Sequence, residues 1–261
     1  MAEIKSAIKV KKQRDKLIKF CILTTQRSGS TLLQELLDSH SDIKVLREIF
    51  LNKKPKNIWA DPNLISFYEF KNERVSIRPW ITFQYLNKLD AYPGEHKAIG
   101  FKLMYNQFSL YPEILLKLIA DRFKIIHLVR DNYLDVVFSK INAIENDLFH
   151  TRTEVEMNSI QVNPSFLLKK LYQQEMTVKL AYSILKIMPN SVLNISYNCL
   201  CDNRGVTLNS VLNFLNISNT EIDFKSSLQK ISKGSYKEKI ANYDEVYQRL
   251  AGTKFKKWLG E

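Results

Sequence analysis

The chain of 261 residues has only three cysteines, Cys21, Cys199 and Cys201, an odd count with no C-x-x-C spacing. This argues against a disulfide framework and offers no zinc pattern, so no metal is expected and reduced thiols in a cytoplasmic protein are the natural reading. No run of about twenty apolar residues occurs, and the opening MAEIKSAIKVKKQRDKLIKF lacks the apolar centre of a signal peptide. A soluble, unprocessed chain without a transmembrane segment is therefore expected. Acids are also scarce: 27 Asp plus Glu face 39 Lys plus Arg, for a formal net charge of +12. The excess points to an anionic partner, although the first nineteen residues alone hold seven Lys or Arg against Glu3 and Asp15. A nucleic-acid platform is not expected, because the aromatics are not interleaved with the basic clusters.

With 45% hydrophobic and 25% charged residues, the chain suits one large domain, 18–261, behind a basic arm, 1–17. Short β-rich runs alternate with helical patterns, so the expected fold is α/β, a single domain with a central parallel sheet flanked by helices. Strands are expected at 19–25, 43–46, 97–104, 123–129 and 191–197. Helices are expected at 31–39, 110–122, 132–146, 164–188, 207–215 and 244–250, the fourth with Asn163 as N-cap, Pro164 at its first position and Pro189 as its stop. The stretches 51–96, with Trp59, Trp80, Arg74 and Arg78, and 147–163, with His150 and Arg152, read as long connections of the kind that face substrates.

The first strand runs into TTQRSGST, residues 24–31. A strand, a short loop of Gln26, Arg27, Ser28, Gly29 and Ser30, and a helix opening at Thr31 gather free N–H groups and a helix dipole at one point. Gly29 permits the turn, Ser28, Ser30 and Thr31 add hydroxyls, and Arg27 offers a cationic fork for an oxyanion. A plainer reading stands beside it, in which Thr31 and Gln34 form a capping box on an ordinary strand-to-helix turn. The spacing G-x-x-x-x-G-K-[ST] is absent, which counts against a magnesium-bound nucleoside triphosphate and a kinase-like transferase.

About ninety residues on, FKIIHLVRDNYLDVVFSKINAIEN sets Arg130 at the end of a buried strand and Ser139 on the helix that follows. Ligands of open parallel sheets sit at the carboxyl ends of strands, so these two residues suit a second anionic group. The alternative is an Arg130 paired with Asp131 or Asp135 and an incidental serine. Leu134, Val137, Phe138, Ile141 and Ile144 form that helix's apolar stripe. His127, within an apolar strand, reads as a hydrogen-bonded core residue, His40 falls at a helix end, and Lys102 stands either at the ligand or as a snorkelling strand-end lysine.

TTQRSGST and LVRDN with Ser139 together resemble the phosphosulfate-binding loop and the 3′-phosphate segment of sulfotransferases, which use 3′-phosphoadenosine 5′-phosphosulfate (PAPS) and release PAP. LNISYNCLCDNRGVTLNSVLNFLNIS resembles the family's strand, Tyr-Glu-x-Leu turn and helix, with Asn198 in place of the usual Glu. ISKGSYKEKIANYDEV resembles its C-terminal Lys-Gly loop. The resemblance implies a P-loop-like nucleotide-binding core of sulfotransferase type, in which Arg27 and the backbone of Ser28, Gly29, Ser30 and Thr31 hold the 5′-phosphosulfate, and Arg130 with Ser139 the 3′-phosphate. It places Tyr197 near adenine, with Lys233 and Gly234 closing over the 3′ side. KAIGFKLMYNQF lacks the His that phenol and steroid sulfotransferases carry there, whereas VLREIF places Glu48 where the carbohydrate and bacterial glycolipid branch, of nodulation-factor and trehalose type, has its base. The implied reaction moves a sulfuryl group to a sugar or glycolipid hydroxyl with Glu48 as general base. A Glu48 paired with Arg47 or a neighbouring Lys is the structural alternative, and His150 an alternative base. Trp59, Trp80 and the uncharged stretch near Ile160 would stack on a sugar or line an apolar groove.

Overall fold

The computed structural model describes residues 17–54, 61–145, 159–218 and 235–260. The basic arm but for Leu17, Trp59, His150, Arg152, Lys233 and Gly234 lie outside the described residues.

Five strands form one parallel sheet: β1 (Ile18–Thr24), β2 (Ile43–Glu48), β3 (Ala98–Met104), β4 (Lys124–Val129) and β5 (Val192–Ser196), ordered β2-β3-β1-β4-β5. The central strand explains its own sequence. Cys21 and Leu23 enter one core and Phe20 and Ile22 the other, so both faces are buried and the strand reads as an unbroken apolar run. On leaving β1 the chain builds β2 and β3 on one side, and from β4 it continues to β5 on the other. The reversal falls between β1 and β4, and the crevice beyond their carboxyl ends is where such sheets bind ligands. At that point the ladder gives way to a side chain: the pairing stops at Leu23 with His127, and the Thr24 hydroxyl donates 2.7 Å to the Leu128 carbonyl.

Helix α1 (Ser30–Asp38) follows β1, and α2 (Phe67–Asn72) and α3 (Arg78–Asn87) precede β3. The last two correct the reading of 51–96 as a long connection. Ser66 caps α2 with Glu69 three residues on, and Phe67 and Tyr85 set their rings against Phe50, with Phe70 packed on Tyr85. The helix expected at 110–122 is α5 (Glu113–Ala120), which starts after Pro112, and a short helix not expected from sequence, α4 (Tyr105–Leu110), precedes it. After β4 come α6 (Tyr133–Glu145) and α7 (Pro164–Ile187), which starts at the expected Asn163 cap and ends before Pro189. After β5 lie α8 (Tyr197–Asp202), α9 (Arg204–Leu215), α10 (Tyr236–Lys239) and α11 (Tyr243–Leu250).

Two details of the expected packing change. Ile144 is exposed, since the buried line on α6 passes instead through Ala143. Ile160 lines no groove: it is buried with α6, α7 and α11 and bridges to Ile240. Trp80 is exposed on α3. His127 is the core residue expected, its Nε2 2.6 Å from the Tyr105 hydroxyl and its Nδ1 2.9 Å from Asn194 Oδ1. His40 ends α1, buried, and its Nδ1 accepts the Asp42 N–H. Among the described residues no helix is long and apolar enough to cross a membrane.

Candidate active site

The loop after β1 is shaped by two left-handed residues, Arg27 (φ 65°) and Gly29 (φ 87°). Such alternation turns successive backbone N–H groups towards one point, which makes an anion-sized concavity. Gly29 is required twice over, by its φ and by the Tyr197 ring, which lies where a β-carbon at Gly29 would fall, 2.2 Å from Cδ2. Buried Ser28 anchors the loop from beneath, its hydroxyl 2.5 Å from that of Thr24 and 2.7 Å from the Thr25 carbonyl.

Gly29 is the N-cap of α1 and supplies no side-chain cap, and the first turn carries no acid. The alternative capping box of Thr31 and Gln34 does not form: the helix begins at Ser30, which puts Thr31 inside its first turn, and Gln34 turns its amide to the Val45 carbonyl at 3.4 Å on the edge strand. The helix therefore presents uncapped N–H groups and its positive dipole end to the crevice.

The second segment meets the first directly. Arg27 Nε donates to Ser139 Oγ at 2.7 Å, and Arg130 donates to the Arg27 carbonyl at 3.4 Å. The other arm of Arg130 pairs with Asp135 at 2.7 Å, so the ion pair considered from sequence is present. Asp135 in turn accepts the Tyr236 hydroxyl, which ties the C-terminal segment to the same spot. The Arg130 guanidinium lies 4.6 Å over the Tyr197 ring, and its buried Nε has no hydrogen-bond partner among the described residues. Burial first, and then the neighbouring Arg130, lower the pKa of Arg27. Two guanidinium groups brought close enough to oppose each other, one of them with an unmet donor, are an arrangement that an anion would relieve.

Lys102 occupies the third corner. Its ammonium is buried rather than snorkelled, 3.3 Å from Thr31 Oγ1 and 4.0 Å from Glu48 Oε1. Burial lowers its pKa, with Glu48 opposing. A bulge between Leu46 and Glu48 brings Glu48 opposite Lys102. The neighbouring-lysine contact is thus real, but 4.0 Å is the outer limit of an ion pair, and the half-buried carboxylate keeps an accessible face. A cavity of ≈ 250 Å³ adjoins Glu48, lined by Glu35, Lys44, Arg47, Asp61 and Ser66 among others.

Sequence reasoning missed Lys140, the residue after Ser139, whose ammonium reaches Thr25 Oγ1 at 3.2 Å and Gln174 Oε1 at 3.1 Å. It also missed Tyr236, although the quoted C-terminal segment contains it.

Residues 20–221 match the sequence profile of the sulfotransferase family. No curated protein sequence matches the chain. Among solved structures, a sulfotransferase from Alicyclobacillus acidocaldarius is 16% identical over 89% of each chain, with a TM-score of 0.50. The sulfotransferase domain from the curacin biosynthetic pathway is 19% identical over 84% of this chain and 79% of its own, with a TM-score of 0.49. Mouse sulfotransferase SULT7A1, solved with PAP, is 13% identical over 94% of this chain and 92% of its own, with a TM-score of 0.49. At 16% identity the Alicyclobacillus structure speaks for the fold alone, and the profile, which spans most of the chain, decides the family: this protein belongs to the sulfotransferases.

Proposed function

We propose that the chain transfers a sulfuryl group from PAPS to a hydroxyl of a sugar or glycolipid, with Glu48 as general base. The observation that carries the proposal is the meeting of Arg27, Ser139 and Arg130 at the switch point. A donor with anionic groups at both its 5′ and 3′ ends fits a site assembled from the ends of two adjacent strands. Arg27 and the N–H groups from Ser28 to Thr31 would hold the 5′ end, and Arg130 Nε and Ser139 the 3′-phosphate, with Tyr197 beside the adenine. Lys233 and Gly234 are proposed to close over the 3′ side.

The donor supplies an activated sulfuryl group on a phosphate leaving group. The protein's part is alignment and charge stabilisation, as in phosphoryl transfer. Arg27 and the α1 N-terminus would meet charge that grows on the leaving phosphate. Lys102 links the cradle to the base, touching Thr31 on one side and Glu48 on the other. Glu48 would accept the proton of the acceptor hydroxyl, a role that contributes about 10²- to 10⁴-fold in rate. The polar lining beside Glu48 favours a hydroxylated acceptor over an apolar one.

The test combines PAP titration by thermal shift, against ATP with magnesium, with transfer of labelled sulfate from PAPS into an extract of the source organism. Stabilisation by PAP rather than ATP-magnesium is expected, as is a labelled carbohydrate product. Glu48→Gln should keep PAP affinity and lose at least about a hundredfold in transfer. Full transfer by Glu48→Gln would remove the base assignment, and indifference to PAP would remove the donor.

A further inference from the structure

Lys140 is a partly buried cation on α6. Its ammonium donates to the Thr25 hydroxyl at 3.2 Å and to Gln174 Oε1 at 3.1 Å, and among the described residues no carboxylate forms an ion pair with it. Burial first, and then the charge of Lys170 one turn before Gln174 on α7, bring its pKa down to about 8. Desolvating an ammonium next to another cation is unfavourable unless something else is bound there.

Gln174 supplies a second, independent sign. It is 7% exposed, and because its Oε1 accepts from Lys140 its amide orientation is fixed with Nε2 as donor. That buried Nε2 has no hydrogen-bond partner among the described residues. A buried amide donor left unmet costs about 1–3 kcal/mol, the kind of deficit a ligand oxygen makes good. Among the described residues the cluster therefore offers an ammonium, an amide N–H2 and a second cation, all donors, with no carboxylate paired to Lys140.

We infer that Lys140, Lys170 and Gln174 form an oxyanion subsite for the acceptor, which would carry a carboxylate, phosphate or sulfate group besides the hydroxyl that is sulfated. The inference rests on the donor assignment above, since both anionic ends of PAPS are already provided for by Arg27 with the loop and by Arg130 with Ser139. The contacts of Lys140 lie instead on α7 and on Thr25, ahead of the loop. Glu48 ends β2 and Thr25 follows β1, two strand spacings or about 10 Å away, so the acceptor is extended, with its hydroxyl towards β2 and its acidic group towards α7.

The experiment uses the full chain saturated with PAP and measures binding of radiolabelled inorganic sulfate by equilibrium dialysis. Lys140→Gln and Gln174→Leu should each weaken sulfate binding by about tenfold or more, while Lys140→Arg retains it and the exposed control Lys186→Gln has no effect. Equal binding by wild type and Lys140→Gln, or none by wild type, would overturn the subsite. Replacing PAP with PAPS decides whose anion it is. Sulfate that stays bound belongs to the acceptor subsite, and sulfate expelled by PAPS occupies the donor's sulfuryl position and refutes the acceptor assignment. The accompanying PAP titration reports separately on the donor reading, since Lys140→Gln should leave PAP affinity unchanged.

Discussion

Gly29→Ala probes the cradle with a single methyl group, and its cost has two separable parts. The backbone part follows from φ 87°, a left-handed conformation that disfavours a residue with a β-carbon by about 1–2 kcal/mol. The packing part follows from the Tyr197 ring, 2.2 Å from the new carbon at Cδ2 and 2.3 Å at Cε2. Both contacts are far inside van der Waals range, so the ring must leave, at an overpacking cost of about 1–3 kcal/mol. Its departure also breaks the stacking of Arg130, which stands 4.6 Å over the ring. The single variant should therefore lose about 2–5 kcal/mol of stability in the ligand-free protein. In a Tyr197→Ala background the clash is gone and only the backbone part remains, about 1–2 kcal/mol. Urea denaturation of the four proteins of this cycle gives the coupling directly, expected at about 1–3 kcal/mol. Equal costs of Gly29→Ala in both backgrounds would show that the ring does not rest on the loop, and the proposed place of Tyr197 beside the donor would fall with it.

Arg27→Ala should weaken PAP by about 1.5–3 kcal/mol and also slow transfer, whereas Ser139→Ala should mainly affect PAP affinity, and titration calorimetry against single-turnover rates separates the two effects. Additive losses in the double variant would contradict the 2.7 Å contact between them. Lys102→Met should lower the transfer rate with less effect on PAP affinity, because its ammonium lies between Thr31 and Glu48; an unchanged rate would exclude it from the reaction. Stability should also depend on His127. Burial depresses its pKa below the ordinary imidazole value, against the opposing Asn194 hydrogen bond. The unfolded chain then binds a proton that the folded one refuses, so stability falls as pH drops below about 6.5, with a slope of at most about 1.4 kcal/mol per pH unit from this group. His127→Gln should flatten that part of the pH profile, and an identical slope would show that another group is responsible.

The strands were legible because a parallel sheet buried on both faces writes itself as apolar β-branched runs, and the five observed strands lie within two residues of the expected bounds. The loop and Arg130 were legible for a related reason, since motif residues at strand ends need only the topology to bring them together. What escaped depended on partners remote in the chain. Local signals existed for α2 and α3, in Ser66 with Glu69 and in Pro79, but those helices owe their place to the rings around Phe50, assembled from four separate segments. Lys140 shows the limit most clearly. In the sequence it is one more lysine among many, next to a serine of evident interest. Its unusual state arises only when Gln174, 34 residues on, closes over it and Lys170 adds a second positive charge. A cation's function depends on which acids are absent around it, and that absence is a property of packing that no local pattern records.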